Sequence, residues 1–192
     1  MFVRIFINNL LAIGYFMAIS VTATLLSSPY NKPVDYSGQP ENLSAVMEIT
    51  QRAHRGNFNQ KSVDIAKREL SIVLPDYSQP GDIDASIKLF ASKILNTPVS
   101  SLGLEQPEVR KGWSGDEMYF VRNTDTGELV LVVKTYQPTS VNFMPEVFGL
   151  HFLSTLGLPE NNYLSLKGLG QFTHIVPTEE ATEAPLTYFL MA

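Results

Sequence analysis

The run ELVLVVKTY (128–136) is apolar and mostly β-branched, with one lysine, Lys134, set near its end. An ammonium group buried without a partner is costly. Lys134 therefore either reaches solvent along its aliphatic stem or is aimed at an anion. Twelve residues on, Glu146 lies in a stretch with a helical pattern. A helix packed on the strand would bring that carboxylate beside the ammonium, favour both charged forms, and hold the lysine toward the phosphates of a nucleotide. Taken alone, Glu146 also reads as a helix-start carboxylate answering the helix dipole. Upstream, RKGWSGDEMYFV (110–121) sets Gly112 and Gly115 around Ser114. Glycine permits close backbone approach and unusual φ values. Amides in such a turn can cover phosphate oxygens, although an ordinary glycine-containing turn has the same composition.

The elements that must position these residues follow from periodicity. Three amphipathic helices are expected first. One runs over about 43–55 with Leu43, Val46, Met47 and Ala53 on one side, and Gly56 to end it. The second covers about 62–73 with Val63, Ala66, Leu70 and Val73, and is stopped by Pro75. The third is capped by Asp84 and carries Ile87, Phe90, Ala91, Ile94 and Leu95. From Val109 the period changes to that of strands: a short first strand before Gly112, DEMYFVRN (116–123), the turn NTDTG (123–127), and ELVLVVKTY. A helix opening on Pro145 and ending at Gly157 comes next. YLSLKGLGQF (163–172) and LTYFLM (186–191) read as two more strands, with an acidic loop, PTEEATEAP (177–185), between them.

The joint order is more specific than its parts. GWSGDEMYFV…GELVLVVKTY, PEVFGLHFLSTLGLPEN, LKGLGQF and LTYFLMA resemble the amino-terminal lobe of a protein-kinase-like fold, closest to the aminoglycoside phosphotransferase and small-molecule kinase branch. The likeness covers about 108–192. It implies an α+β fold: an antiparallel sheet of about five strands with one main packed helix, preceded by a small helical region and an apolar amino-terminal segment. It further implies that Lys134 contacts the α- and β-phosphates of ATP, that Glu146 orients it, and that Gly112, Ser114 and Gly115 form the covering loop. Val132 and Met191 would neighbour the adenine. Arg110 stands where protein kinases have the first loop glycine, a departure that suits the small-molecule branch. The family's catalytic aspartate, asparagine and metal-binding aspartate would fall beyond residue 192. The lobe is thus expected to be incomplete and inactive in phosphoryl transfer by itself, with Mg2+ bound only if a second lobe is supplied.

Composition limits the other classes. The chain has 192 residues, a net charge of −5, 44% hydrophobic residues and no cysteine. It can form a core, and disulfides, thiolate metal sites and cysteine nucleophiles are excluded. There is no basic run, so nucleic acid is not an expected partner. MFVRIFINN followed by an uncharged stretch from Leu10 to Leu26 has the layout of a signal peptide, with cleavage expected after Ala23, or of a membrane anchor. The expected organisation is a leader at 1–26, a linker at 27–42, a helical region at 43–106 and the kinase-like lobe at 107–192. His54, His151 and His174 are scattered without metal spacing, and Trp113 reads as a packing residue. The alternative to a nucleotide-binding lobe that awaits its carboxy-terminal half is an exported or membrane-anchored interaction module. In that module Lys134 and Glu146 form only a structural ion pair and the sheet meets a protein partner.

Overall fold

The structure, a computed structural model, describes residues 41–55, 59–106, 116–155, 165–177 and 183–192. The apolar leader, the linker as far as residue 40 and the turn containing Gly112, Ser114 and Gly115 lie outside these residues. Among the described residues, those within Tyr36–Phe148 and Leu166–Ala192 belong to one compact unit, and those within 149–165 belong to another. Everything below concerns the first unit unless stated.

Three helices come first: α1 (Glu41–Arg55), α2 (Gln60–Val73) and α3 (Ile83–Leu95). Their starts are set by side chains. Asn59 caps α2 by accepting from the Ser62 amide at 3.0 Å, and Asp82 caps α3 by accepting from the Ala85 amide at 3.1 Å. The cap of α3 is thus Asp82, not Asp84; Asp84 sits inside the first turn, where a carboxylate also suits the dipole. Asn96 ends α3 in the left-handed region at φ 50°, a conformation asparagine tolerates. α1 buries Leu43, Val46, Met47 and Ile49, and packs on α2, which buries Ala66 and Leu70. The amide of Asn42 reaches the Leu169 carbonyl at 3.1 Å and ties α1 to the sheet.

The sheet is antiparallel and five-stranded, with β1 (Leu102–Glu105), β2 (Glu117–Asn123), β3 (Leu129–Tyr136), β4 (Leu169–Pro177) and β5 (Glu183–Met191) in the order β1-β2-β3-β5-β4. The fold is α+β, as expected. β2 and β3 are joined by the NTDTG turn. Asn123 Oδ1 there accepts from the Asp125 and Thr126 amides, and Gly127 takes φ 70°, which glycine adopts without strain. A fourth helix, α4 (Phe143–Thr155), follows β3. Pro145 is its third residue rather than its first, still within the turn whose amides have no helical partner.

Three boundaries differ from expectation. The first strand among the described residues is Leu102–Glu105, where Leu102 and Leu104 pair with β2 and turn their side chains to the core; the short strand expected between Val109 and Gly112 lies outside the described residues. The sheet therefore begins inside the stretch expected to be purely helical. β4 runs 169–177 rather than 163–172: Lys167 and Gly168 both donate to the Ala192 carbonyl, and the ladder starts only at Leu169. β4 and β5 also extend into the acidic segment, with Pro177 opposite Glu183.

Strand alternation gives the sheet two faces. One carries Tyr119, Val121, Val133, Phe172 and Leu190, and α3 covers it with Ile87, Phe90 and Ala91. Complete burial of such side chains stabilises by about 1.5–3 kcal/mol each. The other face carries Val132, Lys134, Tyr136, Phe189 and Met191 and receives the start of α4. The outer edge of β4 is partly covered. Asp76 lies parallel to Gln171, with Tyr77 N to Gln171 O at 2.8 Å and Gln171 N to Pro75 O at 3.0 Å. No helix among the described residues is long and apolar enough to cross a membrane.

Candidate functional site

Lys134, Tyr136 and Val132 share one face of β3 because they are two residues apart. α4 packs over that face through aromatic contacts. Phe143 stacks on Phe189 with ring centres 4.7 Å apart and meets Tyr136 edge-on at 5.1 Å. This fixes the first turn of the helix, which also carries Glu146. Its carboxylate is then within reach of the strand. Lys134 Nζ donates to Glu146 Oε1 at 2.6 Å and to Oε2 at 2.7 Å. The two side chains the sequence singled out are thus brought together, each about a quarter exposed.

Tyr136 is a third member that sequence reasoning missed. Its hydroxyl donates to Glu146 Oε2 at 2.6 Å and lies 3.9 Å from Met191 Sδ. The Lys134 ammonium also sits 5.0 Å from the centre of the Tyr136 ring. Burial, then the charge and hydrogen bond of Glu146, push the Tyr136 phenol far above its usual pKa, with Asp116 adding to the effect. The phenol therefore keeps its proton and remains a donor. Its place two residues after Lys134 was the available signal.

A second set of contacts holds the loop between β3 and α4. Asp116, which directly follows Gly115, is buried, and its Oδ2 accepts from Ser140 Oγ at 3.3 Å and Asn142 Nδ2 at 3.4 Å. From α2, Lys67 Nζ donates to the Ser140 carbonyl at 2.7 Å and the Pro138 carbonyl at 3.4 Å. Burial pushes the Lys67 pKa down, partly offset by Asp64. The start of β2 and the helical region thus converge on the residues that launch α4. Nothing in the local sequence around Asp116 or Lys67 signals these long-range contacts.

The surface beside Lys134 is apolar. Met118 lies opposite Lys134 on β2, and Phe120 lies opposite Val132. Met118 and Val132 are each 38% exposed. Met191, in register with Lys134 on β5, is nearly buried against Tyr136, so of the two residues expected near adenine only Val132 offers open surface. The arrangement is a cation oriented by a carboxylate and a phenol at the margin of an apolar strand surface. It suits a ligand with an anionic end and a flat apolar end. Among the described residues no group of three or more His, Cys, Asp or Glu could hold a metal ion. His151, in the other unit, is buried, and burial lowers its pKa.

No family model, curated protein or solved structure matches this chain.

Proposed function

We propose that this chain carries a nucleotide-binding lobe of protein-kinase-like architecture, with ATP as its ligand and phosphoryl transfer dependent on a carboxy-terminal lobe. The reading rests above all on the two-oxygen contact between Lys134 on the third strand and Glu146 on the helix that follows it. Two further features support it. The helix enters between the third and fourth strands of a sheet ordered β1-β2-β3-β5-β4. The strand face beside the lysine is apolar and open at Met118 and Val132.

Within this reading each residue has a defined task. Glu146 and Tyr136 hold the ammonium in place, so little side-chain entropy remains to be lost when phosphate oxygens arrive. Lys134 has three donors; two are directed at Glu146, and the third is available to a phosphate. Val132, Met118 and Phe120 provide the surface for the purine. Gly112, Ser114 and Gly115 would close over the phosphates with their amides. ATP when bound would supply the transferable phosphoryl group, and this lobe would bind and orient it.

Titration with a fluorescent ATP analogue tests the reading. Wild type should bind, and Lys134→Ala should bind at least about tenfold more weakly, the scale of one charge-assisted phosphate contact. Equal affinity of the two proteins would refute the assignment.

A further inference from the structure

Lys67 differs from the other basic residues of its helix. Lys61 and Arg68 on α2 are exposed, whereas Lys67 is half-buried and its ammonium meets backbone. Nζ donates to the Ser140 carbonyl at 2.7 Å and to the Pro138 carbonyl at 3.4 Å, 73 and 71 residues along the chain. Burial disfavours the charged amine, so these two acceptors hold it inward against a desolvation cost. Both acceptors belong to the turn over 137–142, which joins the end of β3 to the start of α4. That turn has little apolar anchorage, because Gln137, Thr139 and Val141 are all exposed. Polar contacts must therefore hold it.

We propose that Lys67 is a positioning residue for the lysine site: it fixes the 137–142 turn so that Glu146 stays against Lys134. The consequence for ligand binding rests on the nucleotide reading of that site. The path is a short run of contacts. Lys67 grips the Ser140 carbonyl, and the Ser140 amide closes the turn on the Gln137 carbonyl at 2.9 Å. Ser140 Oγ accepts from the Asn142 amide at 3.2 Å. The Asn142 carbonyl accepts from the Glu146 amide at 3.0 Å, the bond that starts α4. Glu146 then meets Lys134 with both carboxylate oxygens. Asp116 holds Ser140 and Asn142 from the β2 side, but at 3.3 and 3.4 Å, long for hydrogen bonds to a charged acceptor. The 2.7 Å contact from Lys67 is the shortest of those that reach the turn from α2 and β2. Its loss would leave the start of α4 the more weakly held.

Two plainer roles fit less well. A lysine kept for solubility would extend its stem and leave its ammonium in water. A general staple between α2 and the sheet would act on a strand ladder. The acceptors of Lys67 lie instead in the turn, directly before the helix that carries Glu146.

Amide hydrogen exchange on the full chain tests this. Wild type is compared with Lys67→Met, which keeps the aliphatic stem and removes the ammonium. The Glu146 and Ser140 amides should exchange at least about tenfold faster in the variant, the scale of one charge-assisted hydrogen bond, while amides of the β4–β5 ladder change by less than about twofold. A merely structural contact would speed all of them alike. Lys67→Arg, which keeps charged donors at this place, should restore protection of the Glu146 amide to within about threefold of wild type. The fluorescent ATP analogue should bind Lys67→Met about three- to tenfold more weakly than wild type. Unchanged exchange at Glu146, equal acceleration across the ladder, or no restoration by arginine would each overturn the proposal. Should Lys67→Met fail to fold, the neutral but polar Lys67→Gln carries the same comparison with the same expected direction. The two readings fail separately. A wild type that does not bind the analogue removes the nucleotide assignment, and the exchange result still decides whether Lys67 positions Glu146. A wild type that binds it no better than Lys67→Met does overturns the positioning role alone.

Discussion

Tyr136 does at the scale of one residue what an ion pair cannot do alone. A lysine–carboxylate pair that is partly exposed contributes modestly, because solvent screens it. The buried phenol removes one carboxylate oxygen from that competition and holds the acid from a second direction. Tyr136→Phe should therefore destabilise the fold by about 1–3 kcal/mol, read from urea unfolding, since it leaves a charged acceptor short of a donor. An unchanged midpoint would mean that water replaces the hydroxyl without cost. His151 makes a different prediction, in pH. Its folded pKa lies below the unfolded value of 6.5, so the folded state resists its protonation. Stability from this group is complete above pH 6.5 and is eroded as pH falls toward the lowered folded value. Wild type should lose stability between pH 7.5 and pH 5, and His151→Gln should lose less over the same range. Parallel curves would contradict this.

At the scale of elements, the constraint is close packing around the start of β4. A Cβ on Gly170 would stand 2.6 Å from Cε2 of Tyr77, and that ring meets Phe90 edge-on at 5.2 Å. Tyr77 cannot swing aside freely, because its backbone amide is bonded to Gln171. Gly170→Ala should cost about 1–3 kcal/mol by overpacking, seen as a lower urea midpoint, and a neutral result would show that the ring gives way. This is also where the sequence was least legible. LKGLGQF reads as strand from its apolar residues, yet the glycines mark a close approach by Tyr77 and Ile94 from elsewhere in the chain. The short strand Leu102–Glu105 was hidden for a related reason: four residues carry too little periodicity to announce themselves, and their pairing with β2 is nonlocal. By contrast α1, α2, α3 and the β2–β3 hairpin were legible because local signals agree. Leu70, Ile87 and Phe90 recur at helical spacing, and Asn123 and Gly127 mark the turn.

At the scale of the molecule, the Lys134–Glu146 pairing was legible because it joins a strand position to the helix immediately after it, a separation of twelve residues. The supports for that pairing were not. Lys67 and Asp116 reach the same loop from 73 and 24 residues away. The consequence is that α1, α2 and α3 are part of the unit that positions the site rather than an appendage to it, and the described residues within Tyr36–Phe148 and Leu166–Ala192 belong to one compact unit. The central claim is that Lys134 meets the phosphates of a bound nucleotide. Its most direct test is labelling with an acyl-phosphate derivative of ATP, followed by peptide mapping. Lys134 should be the principal acylated lysine, and excess ATP should protect it. Labelling spread over Lys61, Lys88 and Lys93, without protection by ATP, would contradict the account.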